Sequence, residues 1–160
     1  MGEIVKNNDT RRAFVETLNE LAKDDDRIIV LIPDVGFNYL DDPKNRFKVL
    51  NTGVTEQSTI LIAAAMALDG WKPYVYTMIN FVLFRPYEMV RNGIVHHNAN
   101  VKLIGVKGST GYKFLGFSHN MTDEIEDVRT CQLLQLPSYV PQTNEQVRDT
   151  IMHVYNNEFP

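Results

Sequence analysis

Apolar and polar positions follow two periods along the chain, and each stretch takes the element its period demands. Ala13, Phe14, Leu18 and Leu21 recur at helical spacing behind two possible caps, Asp9 and Thr10, and the charge cluster Asp24 to Arg27 ends that helix. Ile28 to Ile32 is a continuous aliphatic run, apolar on both faces, and reads as a buried parallel strand. Pro33 closes it and opens a long loop carrying Gly36, Asn38, Asp41, Asp42 and Pro43. A short strand at Lys48 to Asn51 meets a turn at Thr52-Gly53, and Glu56 to Leu68, rich in Ala, Leu, Ile and Met, is the most helical stretch, stopped by Gly70. Lys72 to Thr77 reads as a strand, Phe81 to about His97 as a helix interrupted by Pro86, and Val101 to Val106 as another buried strand. A Gly-rich loop spans Lys107 to Asn120, Thr122 is placed to cap a helix through Leu134, Ser138 to Val140 reads as a short strand, and Asn144 to Asn156 as a terminal helix.

Helix and strand therefore alternate, and the strands are apolar throughout. The pattern predicts an α/β fold: an open, mostly parallel sheet with helices on both faces, formed as a single domain over residues 1–160. Such sheets bind ligands at the carboxyl ends of their strands. That singles out three loops: 33–45, 51–55 and 107–120.

Composition narrows the function classes. The apolar fraction is 44% and the charged fraction 22%, as in ordinary globular chains. Net charge is −4 with scattered basic residues, which excludes an electrostatic footprint for nucleic acid or an anionic membrane. No apolar run approaches the ~20 residues of a membrane helix. Cys131 is the only cysteine, so an internal disulfide is impossible, and the polar N-terminus lacks an apolar signal core; both fit a cytoplasmic chain. There is no Gly-x-Gly-x-x-Gly, no Walker loop, no Gly-x-Ser-x-Gly elbow and no zinc spacing. A phosphate-rich cofactor thus has no cradle within these residues.

Read on chemistry alone, the candidates are modest. Glu56 falls in the first turn of its helix, where the dipole favours a carboxylate, and the plain expectation is a solvent-facing acid. Phe81, Phe84 and Tyr87 repeat every three residues, which usually means core packing. His119 sits on the Gly-rich loop, either a surface histidine or an acid–base group. His96 and His97 diverge by about 100° on a helix and do not suit one metal. Asp123, Glu124, Glu126 and Asp127 open a helix, where acids are expected.

Five stretches in register change that picture. They are Thr10-Arg11-Arg12-Ala13-Phe14; Asp34 after the first strand; Asn51-Thr52-Gly53-Val54-Thr55-Glu56-Gln57; Lys72-Pro73-Tyr74 through Thr77-Met78-Ile79-Asn80-Phe81; and Gly116-Phe117-Ser118-His119 with Glu126-Asp127 downstream. Together they resemble the central, pyrimidine-binding domain of the transketolase family over about Thr10 to Val147. The resemblance implies thiamine diphosphate as cofactor, an electron sink for carbon–carbon chemistry. It gives Glu56 the role of hydrogen-bonding N1′ of the aminopyrimidine and promoting the 4′-imino tautomer, which requires a dry site. It places Phe81, Phe84 and Met78 against the pyrimidine, with Met78 replacing a commoner Phe, and puts Asp34 near the cofactor. His119 contacts substrate hydroxyls, and Arg11 holds a substrate phosphate. Lys107 falls where the family carries a second His, and Phe114-Leu115 stand where it carries an acidic pair. An acid lost and an amine gained point toward an anionic or less hydroxylated substrate.

Two family parts are missing from these residues: the Gly-Asp-Gly…Asn diphosphate site that holds Mg²⁺, and the third domain. The resemblance therefore implies a separate subunit of a split enzyme, with no metal ligands of its own. Its partner would be a diphosphate-binding chain in an α₂β₂ assembly, and the activity the transfer of a two-carbon ketol unit between sugar-like substrates. Alternatives are the β-like subunit of a 2-oxoacid dehydrogenase, an acyloin-forming synthase, or a non-catalytic scaffold.

Overall fold

The computed structural model describes residues 9–36, 38–107 and 114–158. Four strands, β1 (Ile28–Ile32), β2 (Lys48–Asn51), β3 (Lys72–Met78) and β4 (Lys102–Val106), form one parallel sheet in the order β2-β1-β3-β4. In register, Ile32 of β1 lies beside Asn51 and Leu31 beside Val75, while Met78 of β3 lies beside Val106. Side chains alternate along a strand, so β1 feeds two cores. Ile28, Val30 and Ile32 pack with Phe14 and Leu18 of α1 (Thr10–Leu21) and with Val147 and Ile151 of α5 (Asn144–Tyr155). Ile29 and Leu31 pack with Ile60, Ala63 and Ala64 of α2 (Glu56–Leu68) and with Val82, Leu83, Val90 and Ile94. The α/β architecture expected from the alternating pattern is the one observed.

The helix boundaries follow local chemistry. Asp9 rather than Thr10 caps α1, its Oδ1 accepting from Arg12 N–H at 3.1 Å. Thr143 caps α5 by accepting from Gln146 N–H. Gly70, at φ +89°, follows the end of α2 in the left-handed region that a C′ residue needs. The chain steps from β1 to β2 on one side, then crosses through α2 to β3 on the other. This reversal opens a crevice at the carboxyl ends of the strands, and α2 begins there.

Four expectations need correction. The stretch after β3 is not an α-helix broken once. It winds as a π-helix over Asn80–Phe84, turns through α3 (Tyr87–Met89), and is π-wound again over Val90–Val95. Pro86 has no N–H and its ring crowds the carbonyl four residues back, so the ladder widens and Arg85 N–H reaches Asn80 O at 2.8 Å. α4 (Glu126–Leu133) begins later than a Thr122 cap would give. Glu126 Oε2 folds back to accept from both Thr122 N–H and Thr122 Oγ1 at 2.9 Å, which holds residues 122–125 as a loop. Ser138 to Val140 is not a strand: Pro137 and Pro141 bracket it and remove ladder donors, and all three residues are exposed. Finally, β4 is not buried on both faces: its residues are half-buried or exposed, and among the described residues no strand pairs with it beyond β3. Residues 108–113 of the expected Gly-rich loop lie outside the described residues. Among the described residues, no helix is long and apolar enough to cross a membrane.

Candidate active site

The site grows out of the turn between β2 and α2. Asn51 organises it: its Oδ1 accepts from Gly53 N–H at 2.9 Å and from Asp34 N–H at 3.2 Å, tying the end of β1 to the end of β2. Gly53 takes φ +69°, a backbone that a side chain would strain. Thr59 Oγ1 meets Thr52 Oγ1 at 2.6 Å and locks the first turn of α2 onto the loop. Glu56 is thereby fixed as the first helical residue. Contrary to the plain expectation of a solvent-facing acid, it is only 5% exposed.

What covers Glu56 is Arg85, at the end of the first π-wound segment. Arg85 Nη1 donates to Glu56 Oε1 at 2.5 Å, and the guanidinium carbon sits 4.1 Å from the centre of the Phe81 ring. On the same ring, His119 packs edge-on, centroid to centroid 4.9 Å at 83°. Ser118 Oγ lies 2.8 Å from His119 Nδ1, which orients the imidazole. Glu56, Phe81, Arg85 and His119 thus form one chain of contacts, drawn from the ends of β2, β3 and β4.

A cleft of about 400 Å³ opens beside them, lined by Asn80, Phe81, Phe84, Arg85, Phe117, Ser118, Asn120, Thr122 and Glu126. Glu56 does not line the cleft, because Arg85 lies between. Asn80 donates through Nδ2 to Asn120 O at 3.2 Å, but its buried Oδ1 has no partner among the described residues. An orphaned amide oxygen beside a cleft is a ready acceptor for a ligand N–H. A dry carboxylate, an aromatic face and an unfilled acceptor suit a flat heterocycle carrying an amino group. The residues present therefore fit an aminopyrimidine. Among the described residues, no group of three or more His, Cys, Asp and Glu is placed to hold a metal ion.

The other candidates from the sequence are distributed differently. Phe84 lines the cleft and is half-buried. Met78, the last residue of β3, is half-buried but does not line it. Asp34 is exposed at the end of β1 with φ +56°, held to Asn51. Arg11 is exposed near the start of α1, on the sheet face opposite α2, and borders a separate groove along β4. Lys107 borders that groove too, with its Nζ 2.9 Å from Asp127 Oδ2 and 3.3 Å from Glu124 O. The amine that the sequence offers as a substrate group is thus committed to a buried carboxylate. Sequence reasoning missed Arg85 and the role of Asn80. The only local hint was Pro86, which forces the wider helical winding that aims Arg85 at Glu56.

Comparison with known proteins identifies the family. Residues 6–158 match the family described as "Transketolase, pyrimidine binding domain". An apulose-4-phosphate transketolase subunit of Phocaeicola vulgatus is 31% identical over 143 residues, covering 86% of this chain and 46% of that protein. The 6-deoxy-6-sulfo-D-fructose transketolase subunit SqwH of Clostridium sp. (strain MSTE9) is 24% identical over 94% of this chain and 47% of its own length. A solved structure titled "Split gene transketolase, inactive beta4 tetramer" superposes with a TM-score of 0.75 at 28% identity, covering 94% of this chain and 49% of its own. The chain spans about half the length of these relatives. With the family match extending over nearly every residue, this chain belongs to the transketolase pyrimidine-binding domain family.

Proposed function

We infer that this chain is the pyrimidine-binding part of a two-polypeptide, thiamine-diphosphate-dependent transketolase-like enzyme that transfers a two-carbon ketol unit between sugar-like substrates. The observation that carries the reading is Glu56, a carboxylate buried at the first turn of α2 and joined through Arg85 to the Phe81 ring. Thiamine diphosphate, when bound, supplies the electron sink for carbon–carbon bond cleavage. Glu56 would hold a proton between its Oε atom and the ring nitrogen N1′, and its burial keeps competing water away. Phe81 and Phe84 would flank the pyrimidine, and Asn80 Oδ1 would accept from its amino group. Met78 and Asp34 would belong to the outer part of that site. His119, oriented by Ser118, would hydrogen-bond a substrate hydroxyl near the reacting carbon. Arg11 and Lys107 border the groove along β4 rather than the cleft, and Lys107 would reach a substrate anion only by leaving Asp127.

The diphosphate and its Mg²⁺ would be held by a partner subunit, in an α₂β₂ assembly located in the cytoplasm. Leu61 and Ile62 of α2, with Val54 ahead of it, are 47%, 40% and 68% exposed, an apolar surface that such a partner would cover. The test is Glu56→Ala in the assembled enzyme. Turnover should fall by at least about a thousandfold while the two chains still co-purify. Unchanged turnover would remove the catalytic reading and leave only the fold.

A further inference from the structure

Glu56 and the Phe81 ring already have an occupant, and it is part of the chain. Arg85 takes the carboxylate at 2.5 Å through Nη1 and covers the ring with its guanidinium carbon 4.1 Å from the centroid. A guanidinium is flat, carries N–H donors in its plane and stacks on aromatic rings. Those are the features by which an aminopyrimidine would engage the same two groups. Phe81 is 9% exposed, and His119 already packs edge-on against it at 4.9 Å, so the ring has little further surface to offer.

We propose that Arg85 is an internal surrogate for the cofactor's pyrimidine: it satisfies Glu56 and Phe81 until the cofactor arrives and must swing away before the heterocycle can bind. The step is an exchange of non-covalent partners on one carboxylate and one ring face. Its length and partial exposure allow the movement: the Arg85 side chain is 39% exposed, whereas that of Glu56 is 5% exposed. Glu126 lines the same cleft and brings a second carboxylate there, one oxygen of which already accepts from Thr122. The exchange keeps a buried acid from standing unpaired ahead of cofactor binding. It also subtracts the strength of the Arg85 contacts from the cofactor's apparent affinity.

This inference rests on the pyrimidine-site reading, and one titration separates the two. The neutral probe 4-amino-5-hydroxymethyl-2-methylpyrimidine is added to the isolated chain and followed by NMR shifts of the Phe81 and His119 rings. The wild type, Arg85→Ala and Arg85→Gln are compared, with circular dichroism confirming the fold of each. Gln preserves much of the side-chain volume should the Ala variant fail to fold. Both variants should bind the probe at least about tenfold more tightly than the wild type, since a competing charge-assisted contact is gone. Equal or weaker binding in the variants would overturn the surrogate and make Arg85 a permanent wall of the pyrimidine site. Tight binding that survives Glu56→Ala in the Arg85→Gln background would show that the probe sits elsewhere. The pyrimidine-site reading would then fall as well, as it would if no variant bound the probe at all.

Discussion

Removing the two partners of the Glu56–Arg85 pair one at a time should cost unequal amounts. The asymmetry comes from exposure: the Glu56 side chain is 5% accessible and that of Arg85 39%. Arg85→Ala strands a buried carboxylate, which costs about 3–5 kcal/mol when no partner replaces the lost one. The start of α2 returns about 0.5 kcal/mol of that through the helix dipole. Loss of the guanidinium from the Phe81 face adds about 0.5–1 kcal/mol. Glu56→Ala frees an arginine that can reach water, so the cost is one partly hydrated charge-assisted hydrogen bond plus the dipole interaction, together about 1.5–2 kcal/mol. Arg85→Ala should therefore be less stable than Glu56→Ala by about 2 kcal/mol, or roughly 4–8 °C in Tm for a domain of this size. Urea denaturation of the two variants and of the double variant measures this directly. The double variant should lie close to Glu56→Ala, because both charges are gone. If Glu56→Ala proved the more damaging of the two, the carboxylate would not be the desolvated partner and the picture of a dry acid behind Arg85 would fail.

Two further outcomes follow from other parts of the fold. Asp25 accepts from Arg27 Nε and Nη2 at 2.8 Å and from Tyr155 Oη at 3.0 Å, and its Oδ2 lies 2.9 Å from Lys72 Nζ; these partners, Arg27 first, hold its carboxyl far below the usual carboxylate range despite burial. Because the folded value is depressed, Asp25 stabilises the fold above its unfolded value of ~3.9 and loses that contribution as pH falls below it. Asp25→Asn should thus cost about 2–3 kcal/mol at neutral pH, less than a sealed ion pair because Arg27 is half exposed, and the gap to wild type in urea midpoints should narrow below about pH 4. Gly36 lies at φ +85°, and a Cβ there would stand 2.7 Å from Leu40 Cδ1, so Gly36→Ala should lower stability by about 1–2 kcal/mol by the same assay.

Much of this molecule is legible residue by residue. The unbroken aliphatic run Ile28 to Ile32 reads as a strand buried on both faces, because it is short, rich in β-branched residues and closed by Pro33. Gly70 marks the end of α2 locally, whereas the sequence leaves Asp9 and Thr10 both open as the cap of α1, and the structure gives it to Asp9. The five motif stretches and the position of Glu56 in a first turn are equally local. Spacing alone could not say that Glu56 is dry, because its cover comes from a residue 29 positions away. Nor could it say that Lys107 is already paired with Asp127, that Arg11 borders a different groove from the cleft, or that Ser138 to Val140 fails to extend the sheet. Those outcomes depend on which side of the sheet each helix packs, and on a proline that rewinds one helix by a single residue per turn. Periodicity fixes what a segment wants to bury; only the packed layers decide which charges are buried together.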